Sequence, residues 1–309
     1  MKYLNIVLSN LSVFPCCGKS EISETITKDI LCAGFKYAED NKLGINVFYP
    51  KGDISDDIKT LLSKTPHNRI IPSTVKCQKG DIVVIGNWMD LELIEYLSDV
   101  RYIVVTTRKD LGMNWQYLPF DQNVRIDIAV LDLEGMKSDD FDKYHTILAN
   151  MAESMADAYA KGVHMQCNLL TDRISFNTMH SCGAGEDHIT LAPNGKVYVC
   201  PAFYFTQMKE ISNDLKNLDI KNQQLYTIDY APICKHCDAY HCKRCIWLNK
   251  KLTLEVNTPS KEQCVVAHIE RNAARQLSLQ AEDKGRTRTC EIPDLPYLDP
   301  FEERLNWLK

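Results

Sequence analysis

No stretch of the sequence approaches the ~20 consecutive apolar residues that a membrane-spanning helix needs. Positive charge is not in excess either, because 36 lysines and arginines face 41 aspartates and glutamates, which gives a formal net charge of -5. This mild acidity argues against bulk binding of nucleic acids. The sequence also contains no internal repeat and no low-complexity tract. We therefore expect a globular protein that has neither a membrane nor a nucleic acid as its partner.

The first residues, MKYLNIVLSNLSVF, match a secretory signal peptide poorly. Lys2 is the only early charge, and polar residues such as Asn5 and Ser9 interrupt the apolar run. We expect a strand here and a cytoplasmic protein. Clustered cysteines in the cytoplasm indicate metal or redox chemistry rather than structural disulfide bonds. The 13 cysteines of this chain are interpreted in that way.

The 309 residues are enough for two domains. Short apolar runs alternate with helical patterns in the first part of the chain. Strands are predicted at 3–8, 45–49, 81–86, 102–106 and 125–131, and helices at 21–41, 54–63, 91–97 and 141–161. This alternation predicts an α/β domain over residues 1–175, with a parallel sheet or partial barrel whose ligands lie at the carboxyl ends of the strands.

The pattern changes after residue 175. Cysteines become dense, and helical periodicity is lost until it resumes over 260–282. We assign residues 176–283 to a second, cysteine-rich domain. Three closely spaced prolines follow, so residues 284–309 are predicted to be a packed extension.

A hairpin opens the cysteine-rich part. The turn signal Pro193-Asn194-Gly195 separates ITLA from KVYVC, so pairing of the two arms returns Cys200 toward Cys182. The segment CKHCDAYHCKRC then supplies two Cys-x2-Cys pairs, and one more cysteine follows at the start of the last predicted helix. The pairs are Cys234 with Cys237 and Cys242 with Cys245, and the last cysteine is Cys264.

Two metals fit this spacing. A zinc ion could take the two Cys-x2-Cys pairs, or could replace one thiolate with His236 or His241, but this leaves three cysteines unused. Iron–sulfur clusters are held by four thiolates that often come from distant segments. The seven cysteines could then divide as four plus three. Cations lie around them, including Lys243 and Arg244, and these either form a solvated face or offset the negative charge of a thiolate-bound cluster.

The order of the cysteines over residues 180–270 resembles that of the SPASM domain of radical SAM peptide-modifying enzymes. This order is Cys-x12-Gly-x4-Cys, then Cys-x2-Cys-x4-Cys-x2-Cys, and then a final cysteine. The resemblance implies two [4Fe-4S] clusters. The ligands of the first would be Cys234, Cys237, Cys242 and Cys264, and those of the second Cys182, Cys200 and Cys245. No fourth cysteine matches the second site, where an open iron could bind a substrate thiolate. His188 is either that fourth ligand or, as we favour, a polar residue of the hairpin.

The Cys-x3-Cys-x2-Cys motif that a radical SAM enzyme presents after its first strand is absent. The sequence has FPCCGKS there, and the next cysteine is Cys32, which we predict to be part of the core. This departure argues against the use of S-adenosylmethionine. Cys16 and Cys17 follow the first strand at the carboxyl end of the predicted sheet, so they are candidate catalytic residues, with two buried apolar cysteines as the alternative.

The whole chain resembles the CXXX repeat peptide maturases through its NIVLSNLSVFPCCG opening, its INVFYP segment and its cysteine-rich half. This resemblance implies a diverged, partial (β/α) barrel of radical SAM type followed by a SPASM-like iron–sulfur domain. It also implies redox chemistry on a ribosomally synthesised, cysteine-repeat precursor peptide, with an electron donor or a companion maturation protein as further partners. The alternative is a noncatalytic iron–sulfur or zinc module that delivers the peptide to another maturase.

Overall fold

Residues 1–14, 24–179, 181–286 and 290–294 are described by a computed structural model. Contacts divide the chain into two units, each built from two separate segments. Unit 1 comprises Met1–Val105 and Gly183–Thr227, and unit 2 comprises Thr106–Cys182 and the described residues from Ile228 onward. The domain boundaries predicted after residues 175 and 283 remain predictions.

The secondary structure alternates between strands and helices up to residue 175. The strands of the described residues are β1 Tyr3–Val7, β2 Gly44–Phe48, β3 Asn68–Pro72, β4 Ile82–Ile85, β5 Arg101–Thr106, β6 Arg125–Val130, β7 Gln166–Cys167, β8 His188–Leu191 and β9 Val197–Tyr198. Their helices are α1 Lys28–Asp40, α2 Asp56–Lys64, α3 Asp90–Leu93, α4 Arg108–Asn114, α5 Ser138–Ala160, α6 Asp172–Ser175, α7 Pro201–Phe205, α8 Ile246–Thr253 and α9 Lys261–Asp283. No helix in this part of the chain is long and apolar enough to cross a membrane.

Unit 1 is organised around a sheet with the strand order β9-β8-β1-β2-β3-β4-β5. All neighbours in this order are parallel except β8 and β9, which are antiparallel. Alternate residues of β1 face opposite sides of the sheet, and Leu4 and Ile6 belong to the buried cluster against which α1 packs. The expected α/β architecture with a parallel sheet is confirmed.

Helix α1 begins later than the sequence predicted and faces the sheet through a narrow stripe. The Thr27 side chain accepts a hydrogen bond from the backbone N–H of Ile30 and so caps the helix at Lys28 rather than at residue 21. Its buried residues are Leu31, Gly34 and Ala38. The prediction that Cys32 belongs to the core is wrong, because this residue lies about 100° around the helix from Leu31 and is exposed.

The predicted hairpin is present, and it extends the sheet of unit 1. Thr190 of β8 pairs with Tyr198 of β9, and Gly195 adopts the positive φ of 78° that the turn requires. The sequence did not indicate that β8 also pairs in parallel with β1, where His188 stands opposite Tyr3.

Unit 2 contains the long helices α5 and α9, which pack against each other. The buried hydroxyl of Tyr144 on α5 donates a 2.7 Å hydrogen bond to Glu270 Oε1 on α9. A capping box fixes the start of α9, since the Ser260 side chain accepts from the Gln263 backbone and the Gln263 side chain accepts from the Ser260 backbone. The first turn of α9 carries Cys264.

Candidate functional site

A cavity of about 230 Å³ lies within unit 2, between the segment 233–244 and the first two turns of α9. We refer to it as the four-cysteine cavity, because all four predicted ligands of the first cluster line it. These are Cys234, Cys237, Cys242 and Cys264. Residues distant in the sequence therefore line one space, and their role as the ligands of one cluster remains a prediction.

Tight turns position the cysteines of the segment. A 3-10 turn spans Cys234–His236, and the backbone N–H of Cys237 donates to the carbonyl of Cys234 at 3.1 Å. The backbone N–H of Ala239 donates to the Cys237 sulfur at 3.4 Å, and that of Cys242 donates to the Ala239 carbonyl at 2.9 Å. Backbone donors to a cysteine sulfur stabilise its thiolate form, which is the form that binds metals.

Charged side chains hold the middle of the segment in place. Arg271 of α9 donates through Nε to Asp238 Oδ2 at 2.7 Å, and Arg173 of α6 lies 3.5 Å from the same oxygen. The Arg173 guanidinium also stacks 4.4 Å from the ring centre of Tyr240. Because Arg173 and Arg271 are buried, these contacts are screened little by solvent and fix the turn between the two Cys-x2-Cys pairs.

The second Cys-x2-Cys pair is tied to the other elements of unit 2 in the same way. Lys243 Nζ lies 3.4 Å from Asp172 Oδ2, and the other carboxylate oxygen of Asp172 lies 2.8 Å from Arg125 of β6. The backbone N–H of Cys182 donates to the Lys243 carbonyl at 3.2 Å. Cys182 is thus brought to the segment that contains Cys245.

Burial raises the pKa of the cysteine thiols in this region. It raises the pKa of Cys242 and of Cys245 to about 12, and it raises that of Cys237 as well. Burial also raises the pKa of Cys234 to about 11, although the positive charge of Arg244 acts in the opposite direction. A metal must therefore displace protons from these thiols, so metal binding is favoured as the pH rises.

The arrangement of the sulfur atoms bears on the metal. Among the described residues, no three side chains of histidine, cysteine, aspartate or glutamate come close enough to hold a single metal ion. Four thiols that line one cavity are a donor set that suits either a tetrahedral zinc or a [4Fe-4S] cluster.

The three cysteines predicted for the second cluster belong to different units. Cys182 and Cys245 lie in unit 2, where the charge of Cys182 contributes to raising the pKa of Cys245. Cys200 lies in unit 1, buried at the N-terminus of α7. His188 begins β8 in unit 1, and burial lowers the pKa of its imidazole to about 4. Cys16 and Cys17 lie outside the described residues.

Two residues of the four-cysteine cavity have positions that the sequence analysis did not predict. His268 Nε2 lies 3.5 Å from the Cys237 sulfur. It follows Cys264 by four positions on α9, a spacing that places both on one helix face and could have indicated it. The other is Arg244, which is 1% exposed although it carries a charge.

Comparisons with known proteins address the fold. No protein-family model and no curated protein matches the sequence. A structure of native anSMEcpe with bound S-adenosylmethionine matches with a TM-score of 0.58 and 13% identity, covering 91% of this chain and 100% of that chain. A structure of the same protein with S-adenosylmethionine and Cp18Cys peptide matches with a TM-score of 0.59 and 12% identity. The match covers 91% of this chain and 99% of that chain.

A structure of SuiB from Streptococcus suis bound to S-adenosylmethionine gives a TM-score of 0.48 at 10% identity, covering 83% of this chain and 73% of that chain. At such low identities, the anSMEcpe structures establish a shared architecture, a mixed α/β fold with a central parallel sheet. They do not establish a shared reaction. The chemistry of this chain has to be argued from its own residues.

Proposed function

We propose that this chain is an iron–sulfur enzyme that modifies a ribosomally synthesised, cysteine-rich CXXX repeat peptide by redox chemistry. The observation that carries the proposal is the convergence of four separated cysteines on one cavity of unit 2. Cysteines with a purely structural packing role have no reason to share a cavity lining with charged and imidazole groups. The likeness in fold to the anSMEcpe structures supports the same conclusion.

Cys234, Cys237, Cys242 and Cys264 would hold the first [4Fe-4S] cluster, with all four irons ligated by the protein. Cys182, Cys200 and Cys245 would hold the second. A cluster with three protein thiolates supplies an open iron, to which a substrate thiolate can bind, and both clusters supply a path for single electrons. The SPASM-like character of this part of the chain is part of the proposal.

The residues of the chain contribute binding and electrostatics around these groups. Asp238, held by Arg173 and Arg271, fixes the turn that carries the first ligands. Asp172 holds Lys243 and thereby the turn that precedes Cys245. Cys16 and Cys17, which follow β1 in the sequence, are proposed as a redox pair.

The structural neighbours support a peptide as the substrate. The anSMEcpe structures contain S-adenosylmethionine, and one of them also contains the Cp18Cys peptide. The sequence lacks Cys-x3-Cys-x2-Cys after β1, which argues against the use of S-adenosylmethionine by this chain, and the experiment below tests this with and without S-adenosylmethionine. We further propose that the protein acts in the cytoplasm with an electron donor or a companion maturation protein.

A second function is a noncatalytic module that uses iron–sulfur clusters or zinc for its structure and delivers the peptide to another maturase. The absence of Cys-x3-Cys-x2-Cys favours it, because that motif holds the cluster at which radical SAM enzymes begin their chemistry. The two functions share the four-cysteine cavity and differ in whether the peptide leaves chemically changed.

Mass spectrometry separates the two functions. The protein is purified anaerobically and incubated with a CXXX repeat peptide and a low-potential reductant, with and without S-adenosylmethionine. We expect a change in the mass of the peptide, and we expect the Cys16→Ser, Cys17→Ser double variant to lose this change while it keeps its iron. An unchanged mass in both arms, together with measurable peptide binding, would establish the delivery module instead.

A further inference from the structure

Arg244 is an unusual residue in the wall of the four-cysteine cavity. It is 1% exposed, and it is the largest of the fully buried side chains in the described residues. It stands within the second Cys-x2-Cys pair, between Cys242 and Cys245. We propose that Arg244 places a fixed positive charge beside the iron–sulfur cluster of this cavity and thereby raises the reduction potential of the cluster. The inference rests on the proposed function, which puts a cluster there.

The backbone conformation at Arg244 is one that is unfavourable for an arginine. Arg244 has a φ of 50°, in the left-handed region that glycine adopts at little cost. A residue with a Cβ costs roughly 1 kcal/mol more there, and burial of a charged side chain costs further free energy. A glycine would relieve both costs. The backbone therefore gives no reason for an arginine here, and the observation that remains is that Arg244 lines the cavity together with the four cysteines.

Two other charged side chains, one in the cavity lining and one beside it, form ion pairs. Among the described residues that line the cavity, Arg244 is the only lysine or arginine, and Asp238 is the only carboxylate. Asp238 is paired with Arg271 at 2.7 Å and with Arg173 at 3.5 Å. The preceding residue in the chain, Lys243, pairs with Asp172, and its side chain is 43% exposed. Arg244 is the cation of the described lining whose charge acts on the Cys234 thiol.

Electrostatics gives the direction of the effect. Reduction adds a negative charge to a cluster, so a nearby cation stabilises the reduced form more than the oxidised form and raises the reduction potential. The effect is large for a buried cation, since water and salt do not screen it. The same field acts on Cys234, where the charge of Arg244 opposes the rise in thiol pKa that burial causes.

A redox titration followed by electron paramagnetic resonance tests the inference on the anaerobically reconstituted full-length protein. The signal of this cluster is identified as the one that disappears in Cys237→Ala. We expect Arg244→Gln to lower the midpoint potential of that signal. Arg244→Lys, which keeps the charge, and Lys235→Gln, which removes the same charge from an exposed side chain next to Cys234, should stay close to the parent. An unchanged potential in Arg244→Gln, or an equal shift in Lys235→Gln, would overturn the inference and leave the proposed function intact.

Loss of iron from Arg244→Gln would prevent that titration, so a second measurement uses the parent protein labelled with ¹⁵N-arginine. Pulsed electron paramagnetic resonance of the reduced cluster should detect a nitrogen coupling from arginine, and Arg244→Lys should abolish it. A coupling that persists in Arg244→Lys, or that is absent from the parent, would overturn the inference. Absence of bound iron from the parent would overturn the proposed function and the inference together.

Discussion

Cys237 illustrates how one side chain serves the site at the scale of the residue. Its sulfur accepts a hydrogen bond from the Ala239 backbone and lies 3.5 Å from His268 Nε2. A cysteine held in this way is preorganised to bind a metal, because both contacts favour a fixed sulfur position over rotation of the side chain. The exposed Cys32 has no place in the cavity and offers a comparison within the same chain.

We expect Cys237→Ala to lose about four irons, the content of one cluster, and to melt at a lower temperature than the parent. Removal of one of four thiolates weakens the cluster, and metal binding is coupled to folding in such sites. Iron analysis and thermal unfolding followed by circular dichroism measure both effects. Cys32→Ala should match the parent in each. If Cys237→Ala also matches the parent, the assignment of this ligand is wrong.

His188 makes the stability of the protein depend on pH. Burial lowers its pKa to about 4 in the folded chain, against ~6.5 for an unperturbed histidine. Between these values the unfolded chain binds a proton that the folded chain does not, so stability is present above pH 6.5 and is lost as the pH falls toward 4. At pH 5 the loss due to this residue should be about 2 kcal/mol.

Urea unfolding of the parent and of His188→Gln at pH 7 and pH 5 measures this loss. The parent should lose more stability than the variant over that interval, because the glutamine does not titrate. Equal losses in the two proteins would contradict the effect. The iron content of the variant adds a second answer, since unchanged iron agrees with a polar hairpin residue and reduced iron would identify His188 as the fourth ligand of the second cluster.

At the scale of the element, the missing side chain of Gly34 allows helix α1 to approach the sheet closely. A Cβ added there would lie 2.7 Å from Leu191 Cδ2 on β8 and 3.3 Å from Ile6 Cδ1 on β1. Both neighbours are buried, so they have little room to move. The glycine is therefore a packing requirement and not a weak point of the helix.

We expect Gly34→Ala to destabilise unit 1, although alanine in an unconstrained helix would stabilise it by ~1 kcal/mol. Overpacking of a well-packed core costs roughly 1–3 kcal/mol and outweighs that gain. Chemical unfolding measures the sign. Gly52→Ala, where an added Cβ would meet nothing within 4 Å, is the control and should change stability little. A more stable Gly34→Ala would show that α1 can shift away from the sheet.

Local patterns predicted most elements, and their pairing was harder to predict. The predicted strands match β1, β2, β4, β5 and β6 to within one residue at each end. β3 escaped prediction, since its NRIIP sequence is short, polar at its start and ends in proline. The parallel pairing of β8 with β1 also escaped, because two strands that far apart leave no local signal in the sequence.

The candidate site was predictable to a similar degree. Spacing indicated the two Cys-x2-Cys pairs, because two intervening residues place both sulfurs of a pair on one side of a turn, and the resemblance to the SPASM domain grouped Cys234, Cys237 and Cys242 with Cys264. The burial of Arg244 was not predictable from its neighbours in the sequence, where it stands among residues that a solvated face would also contain. Its surroundings come from α9 and the preceding turns, which the sequence does not place in space.

At the scale of the whole molecule, each compact unit is built from two separate segments of the chain. The hairpin of β8 and β9 returns to the sheet formed by the first strands, whereas the four-cysteine cavity lies in the unit that also holds β6, β7 and the long helices. A sequence read from one end to the other predicts consecutive domains, because composition changes along the chain are its only guide. Long-range contacts decide which segments form a unit, and these are absent from such a reading.

The central claim, that the chemistry of this chain is that of iron–sulfur clusters, depends on what the cysteines bind. Analysis of iron, acid-labile sulfide and zinc in the anaerobically expressed and reconstituted protein tests it most directly. We predict about seven to eight irons per chain with a similar amount of sulfide, the content of two four-iron clusters with partial loss at the three-cysteine site. Near-stoichiometric zinc with negligible iron would contradict the account.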